Sequence, residues 1–241
     1  MKFIPSFIIL MLLTSCQITE TININPDGTG KIEITELRDE NSYMQLAGEN
    51  YSKEEEFKDT TFVFKEYMIK YKENFSKYLP AEQELFQKYA DTKVHIKKSS
   101  FEKEFRKTVT LKFNKVTDIP DLYKTENYAD DIKFNYALTA EKEYWKVAYD
   151  FDGLVFKRTV LITSQELLQK SKDEFNDMDP KYKSLKLVQK YVLNYHFPRK
   201  IKVVSNHKAV ISMDKKSLQL EFQLSECMQN PESTNLEVVL E

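Results

Sequence analysis

The spacing of apolar residues changes several times along this chain, and each change marks an element. A largely apolar run, Phe3 to Leu13, follows Met1-Lys2. Its eleven residues would rise about 16 Å as a helix, short of the roughly 30 Å hydrocarbon core of a bilayer, so the run reads as an export signal and not a span. From Ile18 the period becomes two. Isoleucines alternate with polar residues through Ile18–Asn25 and Lys31–Thr35, on either side of Pro26-Asp27-Gly28-Thr29-Gly30, which predicts a hairpin with one apolar face. Residues 39–59 are acidic and polar and read as a loop or weak helix. From Phe62 to Leu79 the period is helical, with Phe64, Met68, Tyr71, Phe75 and Tyr78 on one side and Glu66–Lys70 and Glu73–Lys77 pairs on the other. Pro80 ends that helix and opens a second over Ala81–Ala90.

Strand periods return at Thr92–Ile96 and Phe105–Val116, then at Tyr144–Tyr149 and Leu154–Ile162 around the turn Asp152-Gly153. Phe105-Arg106-Lys107-Thr108-Val109 and Phe156-Lys157-Arg158-Thr159-Val160 are alike; a faint duplication and coincidence both account for so short a match. Thr163-Ser164-Gln165-Glu166 has capping-box spacing and predicts a helix to about Phe175. Residues 185–197 fit a strand or a helix; their Tyr, Val and Phe content and the closing Phe197-Pro198 favour the strand. Further strands are expected at Ile201–Val204, Ala209–Met213, Ser217–Leu224 and Leu236–Leu240. The fold class is α+β: an antiparallel sheet built from both chain ends, with the helical pair of residues 62–90 inserted and the helices packed on one face.

Composition narrows the class. Of 241 residues, 41% are hydrophobic, with 14 Tyr and 16 Phe, which is enough for a buried core and excludes a disordered chain. Lys and Arg number 36 against 38 Asp and Glu, a net −2 with the signs interspersed, so there is no electrostatic case for nucleic acid. A signal segment precedes a single α+β domain; the bounds, residues 1–15 for the signal peptide and 16–241 for the domain, are those that the resemblance carried by the next residues implies.

Leu13-Thr14-Ser15-Cys16 resembles the lipobox of bacterial lipoproteins. The resemblance implies that Cys16 takes a diacylglycerol, that the signal is cut before it, and that the new amine receives a fatty acyl group such as palmitate. An ordinary secretory signal with a Cys near its cleavage point is the alternative. Two or more acyl chains anchor a protein stably, and a strand starting two residues later leaves little tether. In proteobacterial lipoproteins an Asp after the Cys retains the protein in the inner membrane; Gln17 instead points to the cell outer membrane. A single acid in Gln17-Ile18-Thr19-Glu20 points to its periplasmic face rather than the surface. With Cys16 lipidated, Cys227 is left without an internal partner. It reads as a small core residue near a short loop, or as the site of an intermolecular bridge.

The hairpin Ile22–Gly30, the stretch Tyr195–Asn206 and the closing Asn235–Leu240 resemble segments of uncharacterised lipoproteins of Bacteroidota, and the layout is similar to the β-rich domain of LppM-type lipoproteins. The matched motifs cover about a quarter of the chain. The resemblance implies an envelope protein and by itself points to no enzymatic activity, cofactor or ligand. One departure is the turn Asp214-Lys215-Lys216-Ser217, which lacks the Gly such a hairpin favours.

A search for chemistry returns no catalytic residue, metal site or cofactor. His95, His196 and His207 stand apart, and there is no HExxH, CxxC, calcium loop, GxGxxG, P-loop or nucleophile elbow. Asp27-Gly28-Thr29-Gly30 has too few oxygens for calcium and reads as a turn. His196 should face opposite to Tyr195 and Phe197, as a surface strand His. Asp130-Asp131 and Glu54-Glu55-Glu56 read as solvated loops, and Tyr144-Trp145 as core filling rather than a glycan platform. The expected function is therefore that of a membrane-anchored envelope lipoprotein acting by binding, to a protein partner, a lipid or a glycan. An envelope polymer hydrolase with carboxylates from separated strands is the alternative. Assembly through an edge strand or Cys227 is a third reading.

Overall fold

A computed structural model describes residues 17–38, 44, 57–99, 101–102, 104–177 and 189–241. Cys16, Glu54-Glu55-Glu56 and the first part of the ambiguous 185–197 stretch lie outside the described residues. The expected hairpin is present as β1 (Gln17–Ile24) and β2 (Gly30–Leu37). Its turn needs both glycines. Gly28 has a φ of +83°, and a Cβ on Gly30 would stand 2.1 Å from the Asn23 carbonyl oxygen and against the Phe113 ring.

β3 (Phe57–Val63) replaces the last part of the expected acidic loop and the first residues of the expected helix. Phe57–Val63 pairs antiparallel with β4 (Lys93–Ser99), and this ladder overrides the helical period at Phe62. The long helix is itself divided, into α1 (Phe64–Lys70) and α2 (Lys72–Phe75), because Tyr71 leaves helical backbone at ψ +38°. Pro80 opens α3 (Pro80–Gln87) as expected. The chain continues through β5 (Glu104–Phe113) to α4 (Thr125–Phe134), a helix the periodicity did not suggest. It places Asp131 fully buried rather than in a solvated loop: the carboxylate accepts from Thr139 N at 2.9 Å and Thr139 Oγ1 at 2.7 Å.

β6 (Trp145–Phe151) and β7 (Val155–Ile162) follow, then α5 (Gln165–Asn176). Ser164, not Thr163, caps α5, accepting from Leu167 N at 3.2 Å. The remainder is β8 (Lys190–His196), β9 (Ile201–Val204), β10 (Val210–Ile211), β11 (Ser217–Gln223), α6 (Leu224–Gln229) and β12 (Leu236–Leu240).

The architecture is α+β with two sheets. The large one has eight strands in the order β10-β11-β8-β1-β2-β5-β4-β3, and the small one four, β6-β7-β12-β9. The large sheet is mixed, since β1 lies parallel to β8, and the closing strand β12 joins the small sheet instead. Residues of both sheets share one core, which includes Ile22, Ile32, Leu193, Tyr195, Phe156 and Val238. The helices hold a second, aromatic-rich core around Phe64, Phe86, Tyr89 and Tyr128, which meets the first at Phe62. The two segments of the faint duplication separate, β5 into the large sheet and β7 into the small one.

The turn without glycine folds by another device. Lys215 takes a left-handed φ of +59°, while Asp214 Oδ1 accepts from Lys216 N at 3.0 Å and Ser217 N donates to Ser212 Oγ at 3.0 Å. A left-handed residue with a Cβ costs about 1–2 kcal/mol. Lys215→Gly is therefore expected to raise stability by about 1 kcal/mol after the entropy of glycine is offset, measured as an increase in the urea midpoint at unchanged slope.

Candidate functional site

The core between the sheets contains a buried charge pair. Glu20 lies on β1 in phase with Ile18, Ile22 and Ile24, so its side chain points inward with theirs. Arg158 lies on β7 in phase with Phe156 and Val160. Glu20 is 0% and Arg158 2% exposed, and Arg158 Nε reaches Glu20 Oε1 at 3.3 Å, Nη2 reaching Oε2 at 3.4 Å. The pair thus ties one sheet to the other.

Phenols complete the carboxylate's shell. Tyr195 donates to Oε1 at 2.5 Å; Tyr123 and Tyr191 lie 2.7 and 3.0 Å from Oε2 and 2.6 Å from each other. Burial by itself would raise the Glu20 pKa. The Arg158 charge and the hydrogen bonds from Tyr195, Tyr123 and Arg158 outweigh it and hold the carboxyl below its usual range. The guanidinium is also filled: Nη2 donates to the Tyr191 hydroxyl at 2.6 Å, and Nη1 to Thr234 O at 3.1 Å and Thr234 Oγ1 at 2.8 Å. Every polar edge of the pair is engaged inside the protein, which suits a structural clasp better than a reacting centre.

A second acidic group adjoins it through Tyr123. Asp121 accepts from Val147 N at 3.0 Å and from Tyr123 N at 3.3 Å. Burial pushes its pKa up to about 6 despite those bonds and the Lys124 charge. Glu143, which accepts from Asn127 Nδ2 at 2.9 Å, is pushed to about 7 by burial and then by the Asp121 and Glu141 charges. Buried Lys124 meets Glu141 at 3.4 Å, and the Tyr128 hydroxyl also donates to Glu141. Two carboxyls with protons in the neutral range are a feature of acid–base sites.

Two clefts among the described residues lie elsewhere. One, of about 410 Å³, is lined by Asn206, His207, Phe222, Asn230, Ser233 and Asn235 among others. Its wall is held from within, because Arg158 binds Thr234 and Val160 N donates to Asn235 Oδ1 at 2.6 Å. The other, of about 420 Å³, runs beside α1 and is lined by Met68, Ile69 and Phe75 with Lys65 and Lys72. Neither includes Asp121 or Glu143.

The residues singled out from the sequence are dispersed. His95 pairs with Asp59 at 2.9 Å on the surface, His196 is exposed on β8 opposite Tyr195 and Phe197, and His207 lines the first cleft. Trp145 packs edge-on against Tyr123, 5.5 Å between centroids. Cys227 sits in the last turn of α6, shortly before the chain leaves the helix at Asn230, part-buried against the core, and burial pushes its thiol to about 12. Asp27 accepts from Thr29 N and Oγ1 as a turn residue. Among the described residues no group of three or more His, Cys, Asp or Glu is placed to hold a metal ion, and no helix is long and apolar enough to cross a membrane.

No family model matches the chain, and no curated protein matches it. Among solved structures, it is similar to the NMR structure of the folded domain of LppM from Mycobacterium tuberculosis, with a TM-score of 0.42 and 10% identity over 95% of this chain and 90% of that one.

Proposed function

We propose that this chain is a lipid-anchored protein of a bacterial cell envelope that works by binding and not by catalysis. The observation that carries the anchor is the position of β1. It begins at Gln17, next to Cys16, and runs between β2 and β8 in the interior of the large sheet. Acyl chains on Cys16 would thus be joined to the fold almost without tether. Binding is favoured because the innermost charges, Glu20 and Arg158, are spent on each other, while the Asn- and Ser-lined cleft is open. The protein partner, lipid or glycan it takes is the open part of the proposal, with the periplasmic face of the outer membrane as its location.

In cells fed labelled palmitate, the wild-type protein is expected to carry label and sediment with membranes, and Cys16→Ser to carry none. An unlabelled wild-type protein would overturn the anchor. Protease shaving of intact cells reads the face, since digestion before lysis would move the domain to the surface. A second reading, hydrolysis of an envelope glycan or peptide, draws on the proton-holding Asp121 and Glu143. It requires product release from isolated cell-wall polymer that Glu143→Gln abolishes.

A further inference from the structure

Strand register gathers a particular set of side chains at the end of the large sheet where β1 starts. Gln17 stands beside Leu37 on β2 and Lys190 on β8. Leu37 stands beside Arg106 on β5, and Arg106 beside Lys97 on β4. Across the next pair, Ser99 stands beside Phe57 at the start of β3. Phe101 follows just beyond β4. Phe57 is 63% and Phe101 77% exposed, which is unusual for phenylalanine and leaves two rings in water at one end of the molecule.

Among the described residues, this end carries bases and acids together. The bases Arg38, Lys58, Lys98 and Arg106 fall at the same end of the strands by this register. The acids are held in ion pairs, and Glu104 lies 3.6 Å from Arg106 Nε as well. Glu102 and Glu104 hold Lys97 at 2.9 and 2.7 Å, Glu221 holds Lys190 at 2.7 Å, and Asp59 holds His95 at 2.9 Å. The opposite end carries the Asp27-Gly28 turn, buried Phe113 and the Ser212–Ser217 turn, with Met213 at its exposed tip.

We propose that the Gln17 end of the sheet rests on a phospholipid bilayer, with Phe57 and Phe101 in the interfacial layer and Arg38, Lys98 and Arg106 at the level of the lipid phosphates. The place where the chain leaves the described fold selects this occupant, because Cys16 adjoins Gln17 and a lipid there leaves no room for the domain to stand off. Aromatic rings partition into the interface, and basic side chains are drawn to an anionic lipid surface. The inference rests on the acylation of Cys16, and its test reads the two separately.

Full-length acylated protein is reconstituted in phosphatidylglycerol-containing vesicles doped with brominated phospholipid. A fluorophore is attached at position 101 (Phe101→Cys) or position 213 (Met213→Cys), each with Cys227→Ala. Quenching by lipid bromine at position 101 is expected to be at least about threefold that at position 213. Equal quenching at the two positions, with acyl label present on Cys16, overturns the docking and leaves the anchor standing. Protection of position 101 from a water-soluble quencher without lipid quenching assigns this end to a second copy of the chain and also overturns it. Absence of acyl label overturns the anchor and the docking together.

Discussion

Arg158→Leu is expected to remove about 3–5 kcal/mol of stability, the usual cost of leaving a buried charge without its partner. The substitution strands Glu20, which is fully buried, with phenol donors and no cation. It also leaves the Thr234 carbonyl without its donor at 3.1 Å. Lys157→Leu, one residue earlier on the same strand, is the control. Lys157 reaches Glu237 at 3.2 Å with both side chains about half exposed, so its loss should cost less than 1 kcal/mol. Replacing Glu20 and Arg158 together by Leu removes both charges but leaves the hydroxyls of Tyr123, Tyr191 and Tyr195 without that acceptor. The double variant should therefore recover part of the loss, giving a coupling of at least about 1 kcal/mol. Urea unfolding of the wild type, these three variants and Glu20→Leu at pH 7 decides it: single costs of Glu20→Leu and Arg158→Leu that simply add to that of the double variant would mean that the pair does not act as one unit.

The inward charges of that clasp are legible in the sequence, and their pairing is not. Glu20 falls on the even positions of β1 with Ile18, Ile22 and Ile24, and Arg158 falls between Phe156 and Val160; each is a charge at a position that strand alternation sends inward. Tyr191 and Tyr195 share the same phase on β8 with Leu193. What the alternation does not contain is the pairing, because residues 138 apart meet only once the two sheets are stacked. The strands themselves were recovered well, since a period of two survives in every local window. The errors cluster where long-range pairing competes with local pattern. Phe62 carries a helical period yet is held by Val94 in a ladder, and helix Thr125–Phe134 hides its buried face behind polar residues such as Thr125 and Asp131. The parallel β1–β8 pair is likewise invisible locally, as no turn joins its strands.

Stability should peak in mildly acid solution and fall towards pH 8, and Glu143→Gln should flatten that fall. Glu143 titrates near 7 in the folded protein against an ordinary value of 4.5, so the folded state binds the extra proton between those limits. Its contribution is complete below pH 4.5 and is lost as pH rises through 7. Asp121, moved from 3.8 to about 6, acts in the same sense over a lower window. Glu20 acts in the opposite sense. Held below its usual value, it contributes above pH 4.5 and loses that contribution as acid protonates it. A displacement as large as that of Glu143 corresponds to about 3 kcal/mol, reduced to about 2 kcal/mol because the side chain is only part-buried. Glutamine keeps the acceptor oxygen for Asn127 while removing the titration. The variant should therefore match the wild type at pH 4.5 and exceed it by about 2 kcal/mol at pH 8. Asp121→Asn should not show this rescue. Both of its carboxyl oxygens accept backbone N–H groups, from Val147 and Tyr123, and an amide offers only one acceptor. Urea midpoints from pH 4 to 8 for the three proteins test the assignment; an alkaline fall that persists unchanged in Glu143→Gln would place the titrating group elsewhere.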